Sequence, residues 1–483
     1  MGFAHLHSRR LPALTLALVL ALSSTMVAFA NVALNTLSTD PFTNTSSQHR
    51  TEVEPDSFAF GSTIVAATQT GRFTDGGSSD IGWATSTNGG LSWTHGFLPG
   101  VTIYQGGGTY QRVSDPSVAY DPKDNVWLIS SLAIGSGSTT AVLVNRSTDG
   151  GLTWSNPVTV TPHSGLDKDW IACDTTASSP FYGHCYTEWD DNGAGNVIKM
   201  STSSDGGLSW GPALNTANTG HGLGGQPLVQ PNGTVVVPIS NGFNAILAFT
   251  STNGGASWSI TVTVAQVQAH TPAAGIRSDF LPSAEIDGAG KVFVAWQDCR
   301  FRTSCSSNDI VYSTSTDGTN WSAVTRVPID STTSGVDHFI PGIGVDRTTA
   351  GASAHLGLAY YYYPVAQCTV STCQLDVGFI SSTNGGASWS TATQLAGPMK
   401  INWLASTTGG RMVGDYISTS FIGTKAYPVF AVAKAKSGTT FNEALTTVIS
   451  GLAVRGGSAV ATGAGAASLP ATTAEPRVPR TAQ

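Results

Sequence analysis

Charge is scarce in this sequence. Asp, Glu, Lys and Arg make up 11% of its 483 residues, and the net charge of −7 comes with no basic block. Nucleic-acid binding draws on a concentrated cationic footprint and is excluded on that ground. Stretches with a 3.6-residue apolar period are nearly absent too, so few helices are expected. No phosphate-cradling Gly-Lys-Ser/Thr and no His-Glu-x-x-His occurs. His49, His163, His184, His221, His270, His338 and His355 are scattered without ligand spacing, and no Cys-x-x-Cys faces a His pair, which argues against a zinc site. Beyond the N-terminus there is no long apolar run.

The N-terminus itself reads as a targeting segment. Arg9 and Arg10 precede an apolar run that closes on Ala28-Phe29-Ala30, the order of a secretory signal peptide over residues 1–30. A short membrane anchor is the alternative; a lipid anchor is excluded because no Cys follows the run. Six cysteines fall in three close pairs, Cys173/Cys185, Cys299/Cys305 and Cys368/Cys373. An even count in local pairs in an exported chain predicts three disulfides. Residues 451–483 lose aromatics and gain Ala, Gly, Thr and Pro, the composition of a disordered tail. A main domain over 31–450 is left between them. Secretion is the expected destination, with no stable membrane insertion once the signal is cleaved.

What is present in abundance is a repeat. "STNGGLSW" at 86–93 returns at 147–154, 203–210, 251–258 and 382–389, with a shortened "STDGTNW" at 315–321. Its third residues, Asn88, Asp149, Asp205, Asn253, Asp317 and Asn384, lie 61, 56, 48, 64 and 67 residues apart. The segments between copies read as pairs of β-rich runs around turns. Each unit therefore holds four strands with the octapeptide in its last hairpin, and four-stranded units repeated radially make a β-propeller. Asp and Asn interchange at the third position, so that position serves hydrogen bonding rather than acid–base chemistry. The closing tryptophans Trp93, Trp154, Trp210, Trp258, Trp321 and Trp389 are expected to lie back across the hairpin beside the next unit.

Seven inner strands can be read as a polar entrance followed by an apolar run, at 52–60, 112–120, 166–174, 224–230, 277–287, 337–346 and 411–421. Seven blades are therefore expected, with six as the alternative. The last would be built from "GDYISTSF", "YPVFAVAK" and "ALTTVIS", closed by "VALNTL" at 32–37.

The octapeptide resembles the Asp-box, or bacterial neuraminidase repeat, and the chain resembles exported sialidase-like proteins of the sialidase superfamily. That resemblance implies an arginine triad for a substrate carboxylate, an Asp acid/base and a Tyr–Glu nucleophile pair. The propeller's mouth would gather Glu54, Asp56, Arg112, Asp115, Asp167, Lys168, Asp169, Trp170, Gln226, Arg277, Asp279, Asp337, His338, Arg411, Asp415 and Tyr416. Second strands add Glu188, Asp190, Asp191, Asp298 and Arg300. In the hydrolytic reading Arg112, Arg277 and Arg411 hold the carboxylate and Tyr416 attacks. Asp115 or Asp169 then supplies the acid, Glu188 is a candidate base and Trp170 a stacking platform. The family's Arg-Ile-Pro is absent; "QRVSDP" surrounds Arg112 instead. A non-catalytic propeller binding glycan, peptide or protein on the same face is the rival reading. No cofactor is required in either, although the acidic mouth could hold Ca²⁺. The expected partner is a glycan or glycoconjugate and the expected state a monomer.

Overall fold

In the computed structural model, the structure describes residues 1–2 and 32–463. The signal segment and the tail from 464 onward lie outside the described residues. The chain is all-β, with strands interrupted among the described residues only by single 3₁₀ turns. It runs as six successive antiparallel units of four strands and a seventh of three consecutive strands. The first strands of these units are Glu52–Phe60, Arg112–Asp121, Leu166–Cys173, Leu228–Val229, Ser283–Ile286, Asp337–Val345 and Ser418–Ile422. Units one and two are joined into one sheet through the Ser78–Val113 pairing. In the seventh, Leu34–Thr36 pairs antiparallel with Thr446–Val448 and supplies the fourth strand, as the sequence suggested. This covers an edge that would otherwise expose unpaired backbone.

Three first strands begin later than expected. Residues 224–227, 277–282 and 413–417 enter as irregular backbone, where Pro227 and Pro282 lack the N–H a ladder needs and Gly414 has φ of 146°. Gly410–Met412 pairs instead with Ala405–Thr407 in a separate ribbon.

All six octapeptides form one turn. The first serine donates to the Asp or Asn oxygen and accepts a glycine N–H, as in Ser147 Oγ to Asp149 Oδ1 at 2.8 Å and Gly151 N to Ser147 Oγ at 2.9 Å. The Asp or Asn oxygen then accepts a backbone N–H further on, Thr153 N at 2.9 Å in this copy. Asn88 does the same for Ser92 N at 3.0 Å, so the carboxylate charge is dispensable. The letters Gly207-Leu-Ser-Trp-Gly211 spell a nucleophile-elbow pattern, but Ser209 Oγ is bound to Asp205 Oδ2 at 2.5 Å on an exposed turn. That serine is scaffold.

The tryptophan packs against the preceding unit rather than the next. Trp154 meets Trp83 (6.4 Å between centroids), Trp258 meets Tyr186 (6.2 Å) and Trp389 meets Tyr312 (6.2 Å). The turn glycines lie on the same side. Tyr312 Oη donates to Gly386 O at 3.0 Å, and Tyr427 of unit seven donates to Gly89 O of unit one at 2.8 Å.

First strands are also strapped to one another. Asp56 Oδ2 accepts Val118 N (2.8 Å), Ser117 Oγ accepts Ile171 N (3.3 Å), Gln226 Oε1 accepts Ala284 N (2.7 Å) and Ser283 Oγ accepts Ile343 N (3.0 Å). Thr419 Oγ1 donates to Gly342 O (2.8 Å), and the Ser57 and Ser418 hydroxyls are 3.0 Å apart. Between units three and four the Glu188 carboxyl lies against Gly225 instead.

Disulfides join Cys173 to Cys185, Cys299 to Cys305 and Cys368 to Cys373, the three expected pairs, and fit an oxidising compartment. The Tyr360–Tyr363 run alternates as a strand should. Tyr361 and Tyr363 pack toward unit seven, and Tyr360 toward unit five. Residues 452–463, assigned by composition to the tail, instead make three short pairings with Lys425–Ala426, Ser388–Trp389 and Thr325–Arg326. No helix among the described residues is long and apolar enough to cross a membrane.

Candidate functional site

A shared irregularity at the start of the first strands builds the site. The register slips between Val53 and Asp56, Ser114 and Ser117, Asp167 and Trp170, and Phe339 and Pro341. The extra residue has positive φ in each case: Glu54 54°, Asp115 49°, Lys168 49° and Ile340 49°. Three of the four precede proline, which disfavours the right-handed helical region for the residue before it. A bulge of this kind re-aims a side chain, and non-glycine residues held at positive φ store strain that surrounding packing must sustain.

The re-aimed residues meet. Lys168 Nζ lies 2.6 Å from Asp415 Oδ2, 3.2 Å from Glu54 Oε1 and 3.3 Å from Asp115 Oδ1, joining units one, two, three and the entry to seven. Arg277 donates through Nε to Asp415 Oδ1 at 2.7 Å and through its second arm to Asp415 Oδ2. Arg72, at the end of unit one's second strand, is buried close by and donates to Gln69 Oε1 and Gly77 O. Asp167, Asp169, Glu188 and Asp190 surround this group, all buried. Seven carboxyl groups and three cations are thus gathered here, and the ion pairs join Lys168 and Arg277 to Glu54, Asp115 and Asp415.

Protonation follows from that imbalance. Burial pushes Asp415 up, but Arg277 and Lys168 outweigh it and hold the carboxyl well below its usual range. Burial prevails elsewhere: Glu54 is pushed up to about 8 and Asp167 to about 7. Asp169, Glu188 and Asp190 are raised well above the ordinary carboxyl value, again by burial first. Burial lowers Lys168, but Asp115, Asp415 and Glu54 raise it well above the usual amine value.

Beside the cluster is a small pocket with room for about one water-sized group. It is walled by Lys168, Asp169, Trp170, Gly224, Gln226, Leu281, Pro282 and Tyr416. The Trp170 and Tyr416 rings meet edge-on with centroids 4.9 Å apart. A larger cavity is lined by first-strand residues of all seven units, among them Asp56, Val118, Ile171, Leu228, Ser283, Ile343 and Ser418. At the far ends of those strands Arg347 pairs with Glu285 at 3.1 Å and lies over the Phe58 ring.

Of the three arginines, only Arg277 reaches the cluster. Arg112 pairs with exposed Asp75 at 2.8 Å beside Phe73, and Arg411 donates to Leu404 O at 3.0 Å. The expected convergence fails because residues 410–412 turn into their own ribbon and Arg112 stands at the solvent edge of its strand. Tyr416 does not hydrogen-bond to a carboxylate. Its hydroxyl donates to Pro116 O at 3.2 Å, and burial raises its phenol well above the ordinary value. Asp115 is committed to Lys168, whereas Asp169 and Glu188 make no hydrogen bond of good geometry. Asp298 pairs with Arg300, and Asp191 caps a 3₁₀ turn.

The residues that sequence reasoning undervalued are Lys168, named only as one of many mouth residues, and Arg72. A signal for the bulge was present: Glu54-Pro55, Asp115-Pro116, Gln226-Pro227, Leu281-Pro282 and Ile340-Pro341 place proline at matching points of five units.

The one grouping of metal-type ligands among the described residues, Asp309, Asp330 and His338, is already neutralised by Arg302 and Arg326.

No family model and no curated protein matches this chain. Solved structures similar to it include a protein of unknown function from Dyadobacter fermentans, at 15% identity and TM-score 0.46 over 73% of this chain and 100% of that one. The Hadza microbial sialidase Hz136 aligns at 14% identity and TM-score 0.43, over 82% of this chain and 65% of that one. NanB sialidase from Streptococcus pneumoniae aligns at 13% and 0.44, over 86% and 70%. Likeness at this level assigns no activity.

Proposed function

We propose that the chain is an exported, monomeric β-propeller of seven blades whose mouth recognises the end of a glycan and does not cleave sialosides. Closure is supported by the packing of each Asp-box turn on the blade before it, with the first turn on blade seven through Tyr427, and by a cavity to which every first strand contributes. Export is supported by three local disulfides.

The observation that carries the functional reading is how the family's chemical groups are spent. Sialoside cleavage needs free guanidinium groups for the carboxylate and a Tyr paired with a carboxylate base. Here Arg277 is forked onto Asp415, Arg112 and Arg411 are engaged elsewhere, and Tyr416 donates to a carbonyl. What remains is a small pocket with two aromatic rings and buried polar groups, which suits contact with one substituent of a terminal residue. It is far smaller than the roughly 300–1,000 Å³ of most small-molecule sites, with room for about one water-sized group. Binding there needs no cofactor, and Ca²⁺ has little place at the centre because Lys168 already bridges three of the carboxylates.

The test is release of an aryl group from a sialic acid glycoside, alongside a glycan-binding screen, with residues 31–483 and the variants Tyr416→Phe, Arg277→Ala and Trp170→Ala. The expected result is no turnover in any protein and glycan binding that Trp170→Ala abolishes. Turnover by the parent chain, lost in Tyr416→Phe and Arg277→Ala, would establish the hydrolase instead.

A further inference from the structure

Between units five and six an outer groove is filled by the chain itself. Thr462–Gly463 pairs antiparallel with Thr325–Arg326, the outer strand of unit five, and Ala459–Val460 pairs with Ser388–Trp389 in the octapeptide turn of unit six. Ala461 N donates to Ala387 O at 3.3 Å, and Ala461 packs on the cluster that holds Trp389 and Tyr312. Under this cover Trp389 is 1% exposed.

The repeat builds the same groove between units seven and one. Its walls are again an outer strand and the turn of the following unit, with Asn35, Thr36, Leu37, Ser38 and Thr39 on one side and Trp93 and His95 on the other. Here no strand lies between them. Among the described residues Leu34–Thr36 pairs with Glu443–Val448 alone, and Thr94–Phe97 with Ser78–Ser86 alone. Trp93 stays partly exposed and His95 exposed. The groove measures about 310 Å³, against about 50 Å³ for the central cavity. It is therefore large enough for a ligand, as the mouth is not.

Unpaired strand edges are templates for a further strand, and peptide partners use them through main-chain hydrogen bonds. The occupied groove shows what such a strand consists of here. No Asp, Glu, Lys or Arg lines the open groove, and residues 456–463, which cross the filled one, carry none either. The chain's own strap has passed units seven, six and five in turn when the described chain stops at Gly463, so it does not return to the open groove.

We propose that the groove between units seven and one docks an extended peptide strand from another protein, uncharged and built of small and β-branched residues. It would be seated as 459–463 are seated between units five and six. This surface is formed by outer strands and is separate from the mouth.

The experiment is fluorescence anisotropy of a labelled peptide of residues 456–463 with the protein 31–483. Saturable binding is expected. Thr36→Arg and Thr39→Arg, at exposed positions in the groove wall, should each weaken it at least about tenfold without moving the thermal midpoint. A peptide carrying Ala461→Pro lacks the N–H that bonds Ala387 O in the filled groove, and should lose a similar factor. No binding, or binding that neither arginine variant weakens, would overturn the proposal. Self-association of 31–483 that Thr36→Arg abolishes would assign the groove to a second copy instead. Peptide binding that appears only in 31–463 would assign it to the chain's own tail, and displacement of the peptide by a neutral oligosaccharide would make it a sugar site; each would overturn the foreign strand.

Discussion

Replacing Lys168 by Met removes the ammonium that Glu54, Asp115 and Asp415 share, while keeping the length of the side chain. All four groups are buried, so no solvent is at hand to take over the charge. Removing one partner of a buried ion pair costs about 3–5 kcal/mol, because the groups left behind are uncompensated. An unfolding entropy of about 2.1 cal/mol/K per residue over roughly 430 residues is ~0.9 kcal/mol/K, so the thermal midpoint should fall by about 3–6 °C. The deficit should also depend on pH. Glu54's folded value is raised to about 8, so its contribution to stability is fully present below the ordinary carboxyl value and is lost as pH rises through 8. Without Lys168 that folded value moves higher, and more stability is lost on the alkaline side. Lys168's own raised value keeps its charge throughout this range. Differential scanning calorimetry of both proteins at pH 5 and pH 8 should therefore give the larger gap at pH 8. An unchanged midpoint, or a gap that is larger at pH 5, would refute the assignment of Lys168 as the central counter-charge.

Other consequences concern the frame. Asp149→Asn should be within about 0.5 kcal/mol of the parent, whereas Asp149→Ala should cost about 1 kcal/mol through lost turn hydrogen bonds, read from thermal midpoints; equal losses would mean that the charge itself matters. A chain beginning at residue 40 lacks Leu34–Thr36 and uncovers the edge at Thr446–Val448. It should melt earlier and self-associate in light scattering, and a monomer of unchanged midpoint would contradict the edge-covering role.

Legibility in the sequence divided along a physical line. Strand content, the unit repeat and the six turns follow from local pattern, since alternation, glycine pairs and spacing act within one hairpin. The disulfides were readable for the same reason: their partners are 5, 6 and 12 residues apart. The bulges were half legible, in the recurring proline after the residue that turns inward. Which charges meet was not legible. Lys168 and Asp415 are 247 residues apart, and their pairing exists only because separate first strands bring their entrances together. The same geometry sends Arg112 to Asp75 and Gly76 O and Arg411 into a side ribbon, although both share the sequence neighbourhood of an entrance. The scaffold is written in short-range pattern. Which acids are paired and which stand unpartnered depends on the folded arrangement, because burial and long-range proximity set the balance between desolvation and Coulomb attraction at each carboxyl.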